Sequence, residues 1–264
     1  MRMGLVAAVL AALCSFSYAE SVGVFYNSSF NDTGAASGRE AGEVARSVTA
    51  LGHTANLFAG TSAGAWASAA SFNDVLLMPE PERTTPSERI GLANNVGGVL
   101  RAWVSGGGRL IVHGDYTGND QDTARFLNQV FGYSLTENRE TETSFKTPAA
   151  AGTVFATGQN ALPSNNGTTA LRNLPGSARA AYRRGVDNTV VQFNYGSGEI
   201  IFLGWDWFNA RPLPGTQNSG WLPTLDLAIR GAGGTAPVPE PGTLALVGLA
   251  AAGLIVHRRR RRLS

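Results

Sequence analysis

Four carboxylates stand where apolar runs give way to polar loops: Glu80 and Glu82 flanking Pro81, Asp115 after His113-Gly114, and Asp206 between Trp205 and Trp207. Paired carboxylates can divide general acid and base work on a glycan or ester when burial keeps one protonated and the other ionised. The plainer reading of each is structural: an Asp at such a turn caps the next helix or fixes the loop, and loop glutamates stay solvated. Asn27 and Ser28 end another apolar run and add hydrogen-bonding groups. Tyr116 follows Asp115, and a phenol with an ordinary pKa of about 10 is a weak nucleophile at neutral pH. Trp207 offers an indole for stacking on a sugar ring, with simple packing as the alternative.

Other constellations read as structure. His53 and His113 have no ligand spacing around them and fit strand residues with one hydrogen bond each better than metal ligands. Asn119-Asp120-Gln121-Asp122 lacks the glycine and distal glutamate of a calcium loop and fits helix-start acids. Gly106 to Gly108 and Gly196-Ser197-Gly198 lack a phosphate-loop lysine and precede strands, so they read as turns. The single cysteine, Cys14, sits in an N-terminal apolar run. A mature domain without it has no disulfide, thiolate metal site or cysteine nucleophile. No cofactor or metal is expected.

These residues need strands and helices to position them, and the sequence supplies an alternation of both. Val22 to Tyr26, His53 to Phe58, Asp74 to Met78 and Arg109 to His113 are short apolar runs of the kind found in buried parallel strands. Ser37-Gly-Arg-Glu40 has the form of a capping box before Ala41, Val44, Ala45, Val48 and Leu51, which recur at helical spacing. Thr85-Pro86-Ser87-Glu88 is a second helix start, leading to Ala93, Val96, Leu100, Trp103 and Val104. A third helix carries Phe126, Leu127, Val130 and Phe131, and a last one runs from about Gly220 to Ile229. Residues 134–184 are rich in Thr, Asn, Gly and Ala and predict loops with irregular short strands. Thr189 to Asn194 and Glu199 to Trp205 predict a terminal hairpin. The fold class expected is α/β: an open, mostly parallel sheet with helices on both faces and a functional crevice beyond the carboxyl ends of the strands.

The ends read as addresses. Met1 to Ala19 has Arg2, an apolar stretch and small residues before Glu20, the pattern of a signal peptide read by the secretion machinery and cut by signal peptidase. Residues 232–238 form a small-residue linker. Pro239-Glu240-Pro241, an apolar segment from Thr243 to Val256 and Arg258, Arg259, Arg260, Arg261 and Arg262 follow. Five arginines after an apolar helix hold that end at the cytoplasmic face of the inner membrane and leave the rest outside. The run is short for a bilayer, so the transmembrane helix would need local thinning or arginine snorkelling. The order and spacing of this tail resemble the PEP-CTERM sorting signal of Gram-negative bacteria. That resemblance implies an exosortase as processing partner and an extracellular polysaccharide or biofilm setting.

Within residues 20–231, Leu100-Arg-Ala-Trp-Val-Ser-Gly-Gly-Gly-Arg-Leu-Ile-Val-His-Gly-Asp115 and Tyr195-Gly-Ser-Gly-Glu-Ile-Ile-Phe-Leu-Gly-Trp-Asp206 resemble the class I glutamine amidotransferase-like superfamily, which is flavodoxin-like. The resemblance implies a nucleophile elbow after the fourth strand, where Gly114-Asp115-Tyr116-Thr117-Gly118 puts Tyr116 in place of the thiol. No histidine follows His113 until His257, so the family's base is missing as well. Loss of groups that act as a unit removes most of their acceleration, so a non-catalytic module is expected.

Composition narrows the alternatives. The chain has 264 residues, 43% hydrophobic and 15% charged, which excludes a disordered chain and a polytopic membrane protein. Its net charge of +2 comes from the ends. Without Arg2, Glu240 and Arg258 to Arg262 there remain 15 basic and 18 acidic residues, which argues against nucleic acid as a partner. The expectation is an exported protein, anchored in the inner membrane as a precursor and then placed at the cell surface or matrix. Its domain would bind through Asn27, Ser28, Glu80, Asp115, Tyr116, Asp206 and Trp207, with an extracytoplasmic hydrolase using the crevice carboxylates as the alternative.

Overall fold

The computed structural model describes residues 19–34, 39–115, 122–165, 167–208 and 220–231. The signal peptide, the linker, the sorting signal with its apolar helix, and Tyr116 therefore lie outside the described residues. Among those described, no helix is long and apolar enough to cross a membrane.

Five strands run parallel: β1 (Ser21–Phe25), β2 (Thr54–Phe58), β3 (Val75–Met78), β4 (Arg109–His113) and β11 (Gly198–Leu203). Their order, β2-β1-β3-β4-β11, is the flavodoxin-like 2-1-3-4-5 order, in which the direction of winding reverses between β1 and β3. Alternation on each strand serves two cores. Val22, Val24, Val75, Leu77, Ile111, Ile201 and Leu203 face one side, where α1 (Glu40–Ala50) and α5 (Trp221–Arg230) cover them. Phe25, Leu76, Met78, Leu110, Val112, Ile200 and Phe202 face the other, under α2 (Ala63–Phe72), α3 (Pro86–Ser105) and α4 (Asp122–Phe131). Burying such a side chain contributes about 1.5–3 kcal/mol, so both faces must be covered at once.

Local signals set the helix ends. Thr85 caps α3 with its side chain accepting from Glu88 N while Glu88 reaches back, with Pro86 in the first turn, as the sequence predicts. At α1 the expectation needs correction. The helix begins at Glu40 with Arg39 as an N-cap whose side chain makes no capping hydrogen bond, so Glu40 opens the helix instead of sitting three residues into it. The helix α2 has no counterpart in the sequence reading. Its Ala and Ser residues carry no apolar stripe, and only the Ser62 side chain, accepting from Ala65 N at 3.3 Å, marks its start.

Residues 134–184 carry the irregular short strands expected of them, and these extend the sheet. Strands β5 (Thr136–Arg139), β6 (Ser144–Lys146), β7 (Ala161–Leu162), β8 (Thr169–Arg172) and β9 (Ala178–Arg184) join β10 (Asp187–Tyr195) in antiparallel pairs. The parallel body is thus continued by an antiparallel wing, in which every connection but the one from β6 to β7 is too short for a helical crossover. The hairpin of β10 and β11 couples the two, with β11 parallel to β4 on one edge and antiparallel to β10 on the other.

Candidate functional site

The carboxyl ends of β1, β3, β4 and β11 open onto one end of the sheet, and each contributes a loop. After β1, Asn27 builds an Asx turn: its Oδ1 accepts from Ser29 N at 2.9 Å and its Nδ2 donates to Ala59 O at 2.6 Å. Its amide is committed to the loop, while Ser28 is exposed. Four residues on, buried Asn31 donates to Pro79 O at 3.2 Å and Glu80 O at 2.9 Å, tying the β1 loop to the β3 loop. Asp32 then accepts from Arg39 Nη1 at 2.6 and 2.8 Å and pairs with Arg83 Nη2 at 2.5 Å.

The loop after β3 carries Glu80, which is buried, and Glu82, whose side chain is 30% exposed. It is pinned by Arg89, itself buried. Arg89 Nε donates to Pro81 O at 3.1 Å and Thr84 Oγ1 at 2.6 Å, and Nη1 forms an ion pair with buried Asp122 at the start of α4. The β4 loop places Asp115, 2% exposed, and the β11 loop places Asp206, 1% exposed. Asp206 Oδ1 accepts from Phe208 N at 2.7 Å, and Asn165 Nδ2 donates to the Asp206 carbonyl at 2.7 Å. Gly167 packs on this carboxylate so closely that a Cβ there would collide with it.

Electrostatics bind these groups together. One carboxylate oxygen from each of Asp32, Glu40 and Glu82 lies within 4.8 Å of the other two. Burial pushes Glu40 up to about 8, helped by Glu82, Asp206 and Asp32 and opposed by its own backbone N–H. Burial also raises Glu82, with Asp32, Asp206 and Asp115 adding to the rise and Arg83 opposing it. Asp206 is raised by burial and by the charge of Asp115, against the hydrogen bond from Phe208 N. The carboxyl-end face is therefore a field of like charge with more acids than the nearby guanidiniums neutralise.

Sequence-selected residues fare unequally. Glu80, Asp115 and Asp206 do meet at this end of the sheet, whereas Trp207 offers no stacking platform. Its indole is 1% exposed and donates from Nε1 to His113 Nδ1. Burial lowers His113 to about 3, so it is neutral. His53 makes two bonds, accepting from Glu20 N at 3.1 Å and meeting Asp226 Oδ1 at 2.9 Å.

Three acids escaped sequence reading. Asp32 had no motif around it, and Glu40 passed as a cap. Glu137, on β5, caps α4 from a distance: its Oε2 accepts from Thr123 N at 3.1 Å and Ala124 N at 3.2 Å. Burial raises it to about 7, with Asp115 adding to the rise. Helix α4 thus takes a cap from a residue fourteen positions into the wing from Thr123, which no local pattern announces.

Comparison with known proteins gives two findings. Residues 237–262 match the PEP-CTERM protein-sorting motif, which implies an exported, surface-directed protein processed by an exosortase. No curated protein matches the chain. Among solved structures, a ThuA-like protein from Bacteroides uniformis aligns at a TM-score of 0.53 and 12% identity, covering 81% of this chain and 93% of that one. A cytoplasmic protein from Salmonella typhimurium aligns at 0.50 and 12% identity, covering 77% and 96%. An exo-beta-1,4-mannosidase from an Opitutaceae bacterium aligns at 0.43 and 13% identity, and this chain spans 34% of its length. The first two similarities show a shared α/β fold.

Proposed function

We propose that this chain is an exosortase-processed surface protein whose amidotransferase-like domain is a non-catalytic binding or structural module in an extracellular polysaccharide or biofilm setting. The match of residues 237–262 to the sorting motif carries the reading. In it, Thr243 to Val256 lodge in the inner membrane, Arg258 to Arg262 stay on the cytoplasmic side, and the exosortase acts near Pro239-Glu240-Pro241. The crevice supports a non-catalytic role through its chemistry. Tyr116 stands where the related enzymes carry a thiol, and His113 is buried, neutral and already bonded to Trp207.

Intact mass of the protein from membrane, periplasmic and culture fractions tests this. The wild-type chain is expected to lose both ends. Deleting Pro239 to Pro241, or replacing the five arginines with glutamine, is expected to leave an unprocessed or mis-sorted precursor, and unchanged mass and fractionation would refute the proposal.

One observation favours a second reading, a hydrolase acting on glycans or esters. Asp206 is raised by burial and by the charge of Asp115, which favours the protonated form that a general acid needs. A panel of ester, amide and glycoside substrates with Asp115→Ala as control separates the two: activity abolished in that variant would favour the enzyme.

A further inference from the structure

Asp32 and Glu82 lie on the loops after β1 and β3, between which the sheet reverses its winding, and Glu40 at the start of α1 joins them. Glu40 is 2% exposed, and its Oε2 has no hydrogen-bond partner. Its own backbone N–H serves the carboxylate, yet a carboxylate oxygen taken out of water without a donor costs free energy, and α1 could have opened with an alanine in its place. The group faces acids. Its carboxylate shares a space of 4.8 Å with one oxygen each of Asp32 and Glu82. Asp206, 1% exposed, also has an unpartnered oxygen, Oδ2, and its charge is felt at both Glu40 and Glu82.

Among the described residues, the cations present do not settle the charge. Arg39 and Arg83 both lie on Asp32 and so fix its orientation, while the approach of Arg83 to Glu82 is 3.9 Å. Once all three carboxylates are ionised, as a bound cation requires, the two guanidiniums leave one negative charge uncompensated. We propose that Asp32, Glu40 and Glu82 bind a divalent calcium ion, with Asp32 held in place by its arginines and Glu40 and Glu82 supplying the uncompensated charge. The donor set is all oxygen, which suits a hard cation. Calcium takes bonds of about 2.3–2.6 Å in flexible geometry, so oxygens up to 4.8 Å apart can share one ion, whereas magnesium demands about 2.0–2.1 Å. The proposal draws on export only for the ion's supply, since extracellular modules bind calcium at about 10⁻⁴–10⁻³ M.

The test uses the full chain, purified in mild detergent and stripped with a chelator, titrated with calcium chloride by calorimetry and equilibrium dialysis. One calcium per chain is expected, with the melting temperature rising by roughly 3–10 °C at 10 mM ion. Glu40→Gln is expected to weaken binding at least tenfold while melting in chelator no lower than wild type. Glu82→Gln, at a partly exposed site, should weaken binding likewise and serves if the first variant folds poorly. Glu142→Gln, paired with Arg184 on the surface, should leave binding unchanged. Protons compete with the ion at Glu40, which faces Glu82, Asp206 and Asp32 with Arg39 and Arg83 behind Asp32, so binding should tighten several-fold from pH 6.5 to pH 8.5. No calcium uptake at 10 mM, or equal affinity in wild type and both acid variants, would overturn the proposal. Failure in the sorting experiment would leave this titration unaffected, so the two readings fall separately.

Discussion

At the scale of single residues, Glu40 is the group whose environment most changes its chemistry. Its folded pKa of about 8 lies above the ordinary 4.5, so the folded chain holds this proton more tightly than the unfolded chain does. Stability is then retained below about pH 4.5 and lost as pH rises toward 8. In chelator, Glu40→Gln is expected to stabilise the protein by about 2–3 kcal/mol at pH 7 and by little at pH 4.5, checked by urea unfolding at both. His113 has the opposite sign: a folded pKa of about 3 against 6.5 means it stays neutral in the fold and costs stability as pH falls below 6.5. Its ring resonances should not titrate between pH 8 and pH 5 by NMR. Asp115 and Asp206 were legible because each ends an apolar run, and strand ends meet in this class of sheet. Asp32 and Glu40 were not, because their meeting depends on how the β1 loop doubles back onto α1.

At the scale of elements, ends and bridges decide stability. Thr85→Ala removes one half of the capping box of α3 and should cost about 1 kcal/mol, read as a shift in the urea midpoint with unchanged slope. Arg89 couples the β3 loop to the first turn of α4 through a pair buried on both sides. Arg89→Met strands Asp122 as a buried charge and is expected to cost about 3–5 kcal/mol, while Arg89→Met with Asp122→Leu should recover most of the loss. The α3 start was readable because Thr, Pro and Glu stand at fixed offsets, and α4 because its apolar stripe is narrow. By contrast α2 is held by Trp66 and Ala69 against the sheet, and tertiary packing overrides a sequence with little periodicity. The irregular strands of residues 134–184 could be expected but not bounded for a related reason: β5 to β8 have four residues or fewer, and only pairing with a distant partner makes each a strand.

At the scale of the whole molecule, the parallel body and the antiparallel wing share one sheet but not one edge. The strand β2 bounds the body and is mostly exposed, with Leu57 at 54%. Hydrogen exchange should therefore be slowest in β3, β4 and β11, buried on both faces, and fastest among the parallel strands in β2, as proton-resolved exchange can show.

The seam between β4 and β11 has a consequence for how the chain comes to be folded at all. Arg109 pairs with Glu199, ninety positions away, so the middle of the sheet has no right-hand neighbour until most of the polypeptide is available. A chain threaded through a narrow pore from its first residue onward would present β1 to β4 with an unfilled gap, unable to lock prematurely on either side. The seam can zip only where the closing hairpin has already arrived.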